Sequence, residues 1–464
     1  MEEWAKKLAK EESRKRGFYV EARKIGQSRY LYRSTTRWDK ERKKIVKVSE
    51  YLGRITEKGL VDKTDKKRSV FEYGNSQLVD SLSQDILKLL KESFPERWKE
   101  IYSLAVVRLL DPVPLKSVED RWEKLHLSTT IDAAVSRNTL SAVLREVGSD
   151  TAAQLGLFRE LMSSSERLAF DMSSIFSRSE NLSYAAMGHN ADDIYLPQIN
   201  MAMIFDVGNC RPVYLKPVEG SVRDIKSLRS TLQEVDFNGV LVMDRGFASY
   251  DLAEILESRM KFIMPLRRNQ KLIGYGTKLD GGFVYRGRGI RFAARRREKQ
   301  TVYLFEDPFL RADESSTFIG WMDKKKKTEK DYREAEKKFG KITILSNVNA
   351  KPKDIYLMLK QREEVETAFD SMKNELENDK TYLRDDDAVR GYFFISFVSL
   401  YMYYKILALI RKKDLSDKYS VKDVLLKFSK VYKLVTDGKE VISEVPAAVE
   451  MLDKTLGTDI CLKK

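Results

Sequence analysis

The sequence predicts an α/β protein in which a mixed-sheet core is interrupted by a β-rich insertion and preceded by an α+β region. Three observations carry that expectation. Short apolar strands alternate with helical stretches between about 167 and 265. A basic, strand-rich stretch comes next, over 267–345. Period-two runs of aromatic and β-branched residues extend from about 17 to 56, ahead of helical spacing that lasts to about 110. A chain of 464 residues with 42% hydrophobic content is long and apolar enough for two or three domains with real cores.

In chain order, Phe18-Tyr19-Val20, Tyr30-Leu31-Tyr32, Ile45-Val46-Lys47-Val48 and Tyr51-Leu52-Gly53 read as a small antiparallel sheet with many Lys and Arg on its faces. From Ser76 to Leu110 the apolar spacing becomes helical, with Leu78, Leu82, Ile86, Leu89 and Leu90 in one stripe, until Pro112 and Pro114 break it. Ser136 to Gly148 reads as a short helix with a Ser or Asn cap and a glycine stop. It is either the second helix of a helix-turn-helix or an ordinary amphipathic helix.

Leu168 to Met172, Pro197 to Asp206 and Pro212 to Leu215 read as three strands. A helix over 224–235, a strand over 239–244, a helix over 250–259 and a strand over 261–265 come after them. Three strands, helix, strand, helix, strand is the order of a ribonuclease-H-like domain. In it the first and fourth strands are neighbours, so acids near their ends, Asp171 and Asp244, can meet. The insertion is read as strands at 283–285, 290–292, 301–305, 318–321 and 342–345, with cationic runs at Arg295 to Arg297 and Lys324 to Lys327. These runs are either solvated loops or a phosphate-tracking surface. The resulting division is a basic β-rich segment at 1–60, a helical region at 61–160, a ribonuclease-H-like core at 161–266 and 346–412, the insertion at 267–345, and a helical tail at 413–464.

A net charge of +15 favours a polyanionic partner. Two cysteines, Cys210 and Cys461, and two histidines, His126 and His189, exclude a zinc finger and a disulfide framework. Any metal is left to carboxylates, which suit Mg²⁺ or Mn²⁺. The N-terminus lacks an apolar signal core. The apolar run Gly391 to Ile410 is long enough for a membrane, but Lys405 interrupts it and Tyr and Ser hydroxyls punctuate it. It is expected to be a buried core helix of a reduced, cytoplasmic protein with no membrane partner.

Read as a helix, Arg362 to Lys373 puts Arg362, Glu366 and Lys373 on one face, because offsets of four and seven residues return to the same side. A carboxylate between two cations suits a site for metal ions and phosphates. Phosphodiester chemistry with two divalent ions needs several carboxylates from different elements. Asp171, Asp244 and Glu366 are the candidates, against capping, salt-bridge or surface roles for the same residues.

Val240-Leu241-Val242-Met243-Asp244-Arg245-Gly246-Phe247 resembles the second catalytic motif of prokaryotic insertion-sequence DDE transposases. Arg362-x3-Glu366-x6-Lys373 is similar to most of their Y-x2-R-x3-E-x6-K signature, with Leu359 where the tyrosine falls and a tyrosine earlier at Tyr356. Phe170-Asp171-Met172-Ser173-Ser174 resembles the first acid and its hydroxylic neighbours, and the stretch 188–224 is similar to the family's sequence downstream of that acid. Gly220-Ser221 replaces the glycine-asparagine often found there. Arg390-Gly391 leading into an apolar helix also fits.

The resemblance covers about 165–412. It implies a transposase that cleaves DNA at the ends of its element and joins them to target DNA. It further implies two Mg²⁺ or Mn²⁺ ions on Asp171, Asp244 and Glu366, and a homodimer on double-stranded DNA. Arg362 and Lys373 would clamp phosphates. Arg245 would join them or form a salt bridge. Trp321 would stack on a flipped base or serve as core. The alternatives are a catalytically silent DNA-binding descendant and a ribonuclease-H-like nuclease without joining activity.

Overall fold

The computed structural model describes residues 2–461, apart from 26–27, 40–43, 58, 62–67, 178, 180, 189–195, 223, 236, 271, 378–379, 382 and 437–438. His189, with residues 189–195 and 223 of the expected motif segment at 188–224, therefore lies outside the described residues. The chain forms two compact units, Met1–Phe71 with Tyr432–Ser443, and Glu72–Val431 with Glu444–Lys464.

The first unit begins with a helix that the charged N-terminal sequence conceals, α1 (Glu3–Arg16). Ala5 and Ala9, one turn apart, are buried together with Val20, Leu31 and Ile55. Gly17 ends the helix in the left-handed region at φ 73°, with its N–H bonded to the Ser13 carbonyl. β1 (Val20–Ile25), β2 (Ser28–Asp39), β3 (Lys44–Thr56) and β4 (Gly59–Val61) form an antiparallel sheet in sequence order. β5 (Arg68–Glu72) joins β16 (Tyr432–Thr436) and β17 (Lys439–Ile442) in a separate three-stranded sheet.

The second unit opens with six helices: α2 (Gly74–Leu82), α3 (Gln84–Ser93), α4 (Trp98–Leu110), α5 (Val118–Trp122), α6 (Arg137–Ser149) and α7 (Thr151–Met162). Ser136 caps α6 by accepting from the Thr139 N–H, as expected, but Gly148 does not stop it. Gly148 is a crossing point. A Cβ there would lie 1.7 Å from the Asp387 carbonyl oxygen, and one at Gly391 would lie 1.9 Å from that of Leu144. The two glycines let α6 and the later helix α14 (Asp386–Lys412) approach backbone to backbone.

The ribonuclease-H-like order is present. β6 (Arg167–Ser177), β7 (Gln198–Asp206), β8 (Arg211–Glu219), α8 (Asp224–Glu234), β9 (Val240–Met243), α9 (Tyr250–Glu257) and β10 (Lys261–Pro265) succeed one another. Across the sheet the strands run β10-β9-β6-β7-β8, with β6–β9 and β9–β10 parallel and β7 antiparallel to both of its neighbours. Every residue of β7 is buried, so both faces of the sheet are covered there.

The insertion extends this same sheet. β11 (Gly281–Tyr285), β12 (Arg288–Arg297), β13 (Gln300–Glu306) and β14 (Lys341–Ser346) are antiparallel, and β14 pairs β10. The expected strand at 318–321 is instead part of α10 (Pro308–Asp323), followed by α11 (Glu329–Glu336). Asp307 caps α10 through the Phe309 and Leu310 N–H groups, and Pro308 at the first turn is pre-set for a helix. Those start signals override the short apolar run Phe318-Ile319.

α12 (Pro352–Gln361) and α13 (Glu363–Asp370) come next, then the short strand β15 (Lys380–Thr381) beside β6. α14 packs on β8 on one side and on α4 and α6 on the other. Phe397 meets Phe158, with ring centroids 4.9 Å apart, and Tyr404 meets Phe205 at the same distance. Contact on both sides explains why α14 is apolar around its circumference: it is the core helix of this unit, with most of its residues buried. α15 (Val421–Phe428) and α16 (Ala447–Leu456) complete the unit.

Candidate active site

β6 and β9 are parallel neighbours, and Phe170 is the register partner of Met243. The next residue on each strand is an acid, so Asp171 and Asp244 leave the ladder side by side at its carboxyl end. Asp171 stays within β6, and its Oδ1 accepts from the Met172 N–H at 2.8 Å. Asp244 begins a 3-10 turn, and its Oδ2 accepts from the Gly246 N–H at 3.1 Å. The remaining residues of that motif hold the turn. Phe247 is buried edge-to-face against Phe170, with centroids 5.2 Å apart. The Gly246 carbonyl accepts from Arg267 Nη2 at 2.7 Å. No local pattern marks Arg267 for this role, because its partner is a carbonyl 21 residues away.

Glu366 comes from α13. Val365, Ala368 and Phe369 are buried, so the opposite side, with Glu366, faces out. Burying Val365 and Phe369 contributes roughly 1.5–3 kcal/mol each. An ion pair between Glu364 Oε2 and Arg411 Nη1 of α14, at 2.9 Å, fixes the helix further. The free thiol of Cys210 sits in the same cluster, 2.8 Å from that Nη1, and burial pushes it up to about 11.

The three acids converge on one guanidinium. Arg362 Nη1 is 3.4 Å from Asp171 Oδ2, while Nη2 is 3.5 Å from Asp244 Oδ1 and 2.7 Å from Glu366 Oε1. The Asp171 side chain is 17% exposed and that of Arg362 14%, while Asp244 and Glu366 reach solvent more freely. Burial pushes the Asp171 carboxyl up to about 7, and the charges of Asp244 and Glu366 add to this against the pull of Arg362 and the Met172 N–H. Burial works against the charge on Arg362, but Asp244 and Glu366 outweigh it and raise its pKa. Among the described residues, no three acidic, histidine or cysteine side chains stand ready to hold a metal ion in their present positions. Three convergent hard oxygen donors nevertheless have the chemistry of a Mg²⁺ or Mn²⁺ site, with Arg362 now supplying the positive charge.

The expected single helix from Arg362 to Lys373 is divided. Arg362 lies at the junction of α12 and α13, and Ser371–Glu375 is a π-turn. The four-residue offset from Arg362 to Glu366 survives as an ion pair. The seven-residue offset to Lys373 assumes α geometry throughout, and the wider π-turn interrupts it. Lys373 is partly buried within that turn.

Arg245 is exposed and makes no ion pair among the described residues. Trp321 is on helix α10, not on a strand, and is 44% exposed; its ring is 5.6 Å from that of Phe318. Tyr356 does not take the place of the signature tyrosine. It is fully buried among Phe283, Tyr285 and Phe305, and burial pushes its hydroxyl up to about 12.

The Transposase DDE domain family profile matches residues 164–402. Among solved structures, the chain is similar to piggyBac transposase, seen by cryo-EM in a synaptic complex with hairpin DNA. The identity is 14% and the TM-score 0.43, over 77% of this chain and 79% of that one. No curated protein sequence matches. The matched segment runs from just before β6 into α14, encloses all three acids and exceeds half of the chain, which therefore belongs to the DDE transposase family.

Proposed function

We propose that this protein is an active DNA transposase that cleaves the ends of a mobile element and joins the freed 3′-hydroxyls to target DNA. The observation that carries the reading is the meeting of Asp171, Asp244 and Glu366, from three separate elements, around Arg362. Mg²⁺ or Mn²⁺ ions held by these carboxylates would supply charge neutralisation at the phosphoryl group and a more acidic nucleophile.

The chain's own residues do the rest. Asp171 is the most enclosed of the three acids and anchors the site on the rigid sheet. Glu366 is half exposed on a helix, which suits the carboxylate that meets the incoming strand. Arg362 can exchange its carboxylate partners for phosphate oxygens, which a guanidinium binds bidentately. Arg245, exposed beside Asp244, and Lys373 are further phosphate contacts. Trp321, exposed on α10, is a surface for stacking on a base. The enzyme is read as a homodimer on double-stranded DNA that pairs two element ends in the cytoplasm, at the nucleoid.

Glu366→Gln provides the test. It keeps the shape and the Arg362 contact while removing the charge. With Mn²⁺ and a duplex carrying the element end, cleavage should fall by on the order of 10³ while DNA binding persists. Scoring strand transfer in the same assay separates a transposase from a nuclease that cannot join. Wild-type protein that never nicks its own element ends would favour the silent DNA-binding reading.

A further inference from the structure

The basic excess is unevenly placed. Residues 1–71 hold 22 Lys or Arg against 11 Asp or Glu, so this stretch carries +11 of the total +15. Here the four-stranded sheet is covered on one face by α1, over Leu31, Ile55 and Val20. Strand alternation sends Tyr30, Tyr32 and Trp38 of β2 to the other face. The register sets Tyr51 opposite Tyr32, Lys47 opposite Thr36, and Ile45 opposite Trp38.

Tyr30, Tyr32, Tyr51 and Arg23 form one group, and Trp38 lies farther along β2 on the same face. The Tyr51 ring is 5.9 Å from that of Tyr30 and 5.6 Å from that of Tyr32. The Arg23 guanidinium lies 4.5 Å from the centroid of the Tyr32 ring. Glu21 holds both Arg23 and Lys47, so two cations share one acid and the face keeps a positive balance. Tyr51 is 46% exposed and Trp38 57%. Exposed aromatics in a row on a sheet need a partner to account for them, since no core covers them.

Charge and ring chemistry together select the partner. The charge calls for phosphates, and flat exposed rings call for π-faces to stack on. A duplex hides its base faces within the stack, whereas an unpaired strand offers both groups at once. We propose that the open face of the N-terminal sheet binds single-stranded DNA, with bases stacked on Tyr32, Tyr51 and Trp38 and phosphates on Arg23 and Lys47. This goes beyond the cleavage site and rests on the reading of the chain as an enzyme acting on DNA. It supplies a place for strand that becomes unpaired during that reaction.

The test uses the full chain and fluorescence anisotropy with labelled oligo(dT) of roughly 20 nucleotides, beside a duplex of equal length. Trp38→Ala and Tyr51→Ala should each weaken oligo(dT) binding about tenfold, the effect of removing one stacking ring. Duplex binding should change by less than about twofold, and Tyr51→Phe should behave as wild type. Both alanine positions are exposed, so folding is retained, and a circular dichroism melt checks this. Unchanged oligo(dT) affinity in both variants overturns the proposal, as does an equal loss on duplex, which would mark a surface for phosphates alone. Glu366→Gln keeps the two readings apart. Unchanged oligo(dT) affinity in both Trp38→Ala and Tyr51→Ala, in a protein whose cleavage depends on Glu366, defeats this inference and leaves the catalytic one standing.

Discussion

Arg362 and Asp171 are 191 residues apart in the chain, yet the guanidinium Nη1 lies 3.4 Å from the carboxylate Oδ2. The same guanidinium also reaches Asp244 and Glu366, so one cation is shared among three acids. Removing one partner of a mostly buried ionic group leaves the other charges uncompensated.

Arg362→Gln should therefore destabilise the metal-free protein by on the order of 2–4 kcal/mol. Mn²⁺ or Mg²⁺ should restore more of the lost stability in the variant than it adds to the wild type, because the ion no longer competes with a guanidinium. Thermal unfolding in EDTA and in millimolar Mn²⁺ reads both effects. Equal metal-induced shifts in the two proteins would mean that Arg362 does not occupy the cation position.

The α6–α14 crossing leaves no room for a methyl group. Gly391→Ala would bring a Cβ to 1.9 Å from the Leu144 carbonyl oxygen, with backbone on both sides. A loss of about 3 kcal/mol in urea unfolding is expected, at the upper end for overpacking. Gly156 in α7 has open space where a methyl group would project, with nothing within 4 Å, and serves as the control. Gly156→Ala should stabilise by about 0.5–1 kcal/mol through helix propensity.

Acid should loosen the contact between α3 and α14. Asp85 Oδ2 accepts from Tyr401 Oη and Lys405 Nζ, each at 2.8 Å. Partial burial opposes ionisation, but those two donors outweigh it and hold the carboxyl below its ordinary value. A carboxyl with a lowered folded-state pKa stabilises the fold above its unfolded value, near 4, and loses that contribution as pH falls further. Asp85→Asn should remove this acid-side slope. Because the pair is solvent-accessible, the difference should be under about 1 kcal/mol, read as stability against pH between about 5 and 2.5.

Salt should weaken DNA binding steeply. Each neutralised phosphate contributes a slope near −0.9 in log K against log salt for duplex DNA. Truncation of Arg245, exposed at the site, should make the slope shallower by about one unit and leave sequence preference unchanged. A flat response would remove phosphate contact as the basis of binding.

Local periodicity was enough for the strands and helices of the core, because burial of alternate or every third to fourth residue is a short-range property. It placed β6 to β10 in order, together with the buried apolar helix, and the ribonuclease-H-like order of those elements then made neighbours of the strands that carry Asp171 and Asp244. It was misleading where capping outweighed composition. The Asp307-Pro308 start makes Trp321 helical, and α1 is hidden because its fully buried residues are only the small Ala5 and Ala9, with Trp4 and Leu8 partly buried beside them. Gly148 looked like a stop, since a glycine that ends a helix and one that admits another backbone are the same letter. Convergence of the acids on Arg362, the π-turn before Lys373 and the aromatic row across β2 and β3 depend on register and on contacts between distant segments. Those are set by how whole surfaces pack, which no window of neighbouring residues encodes.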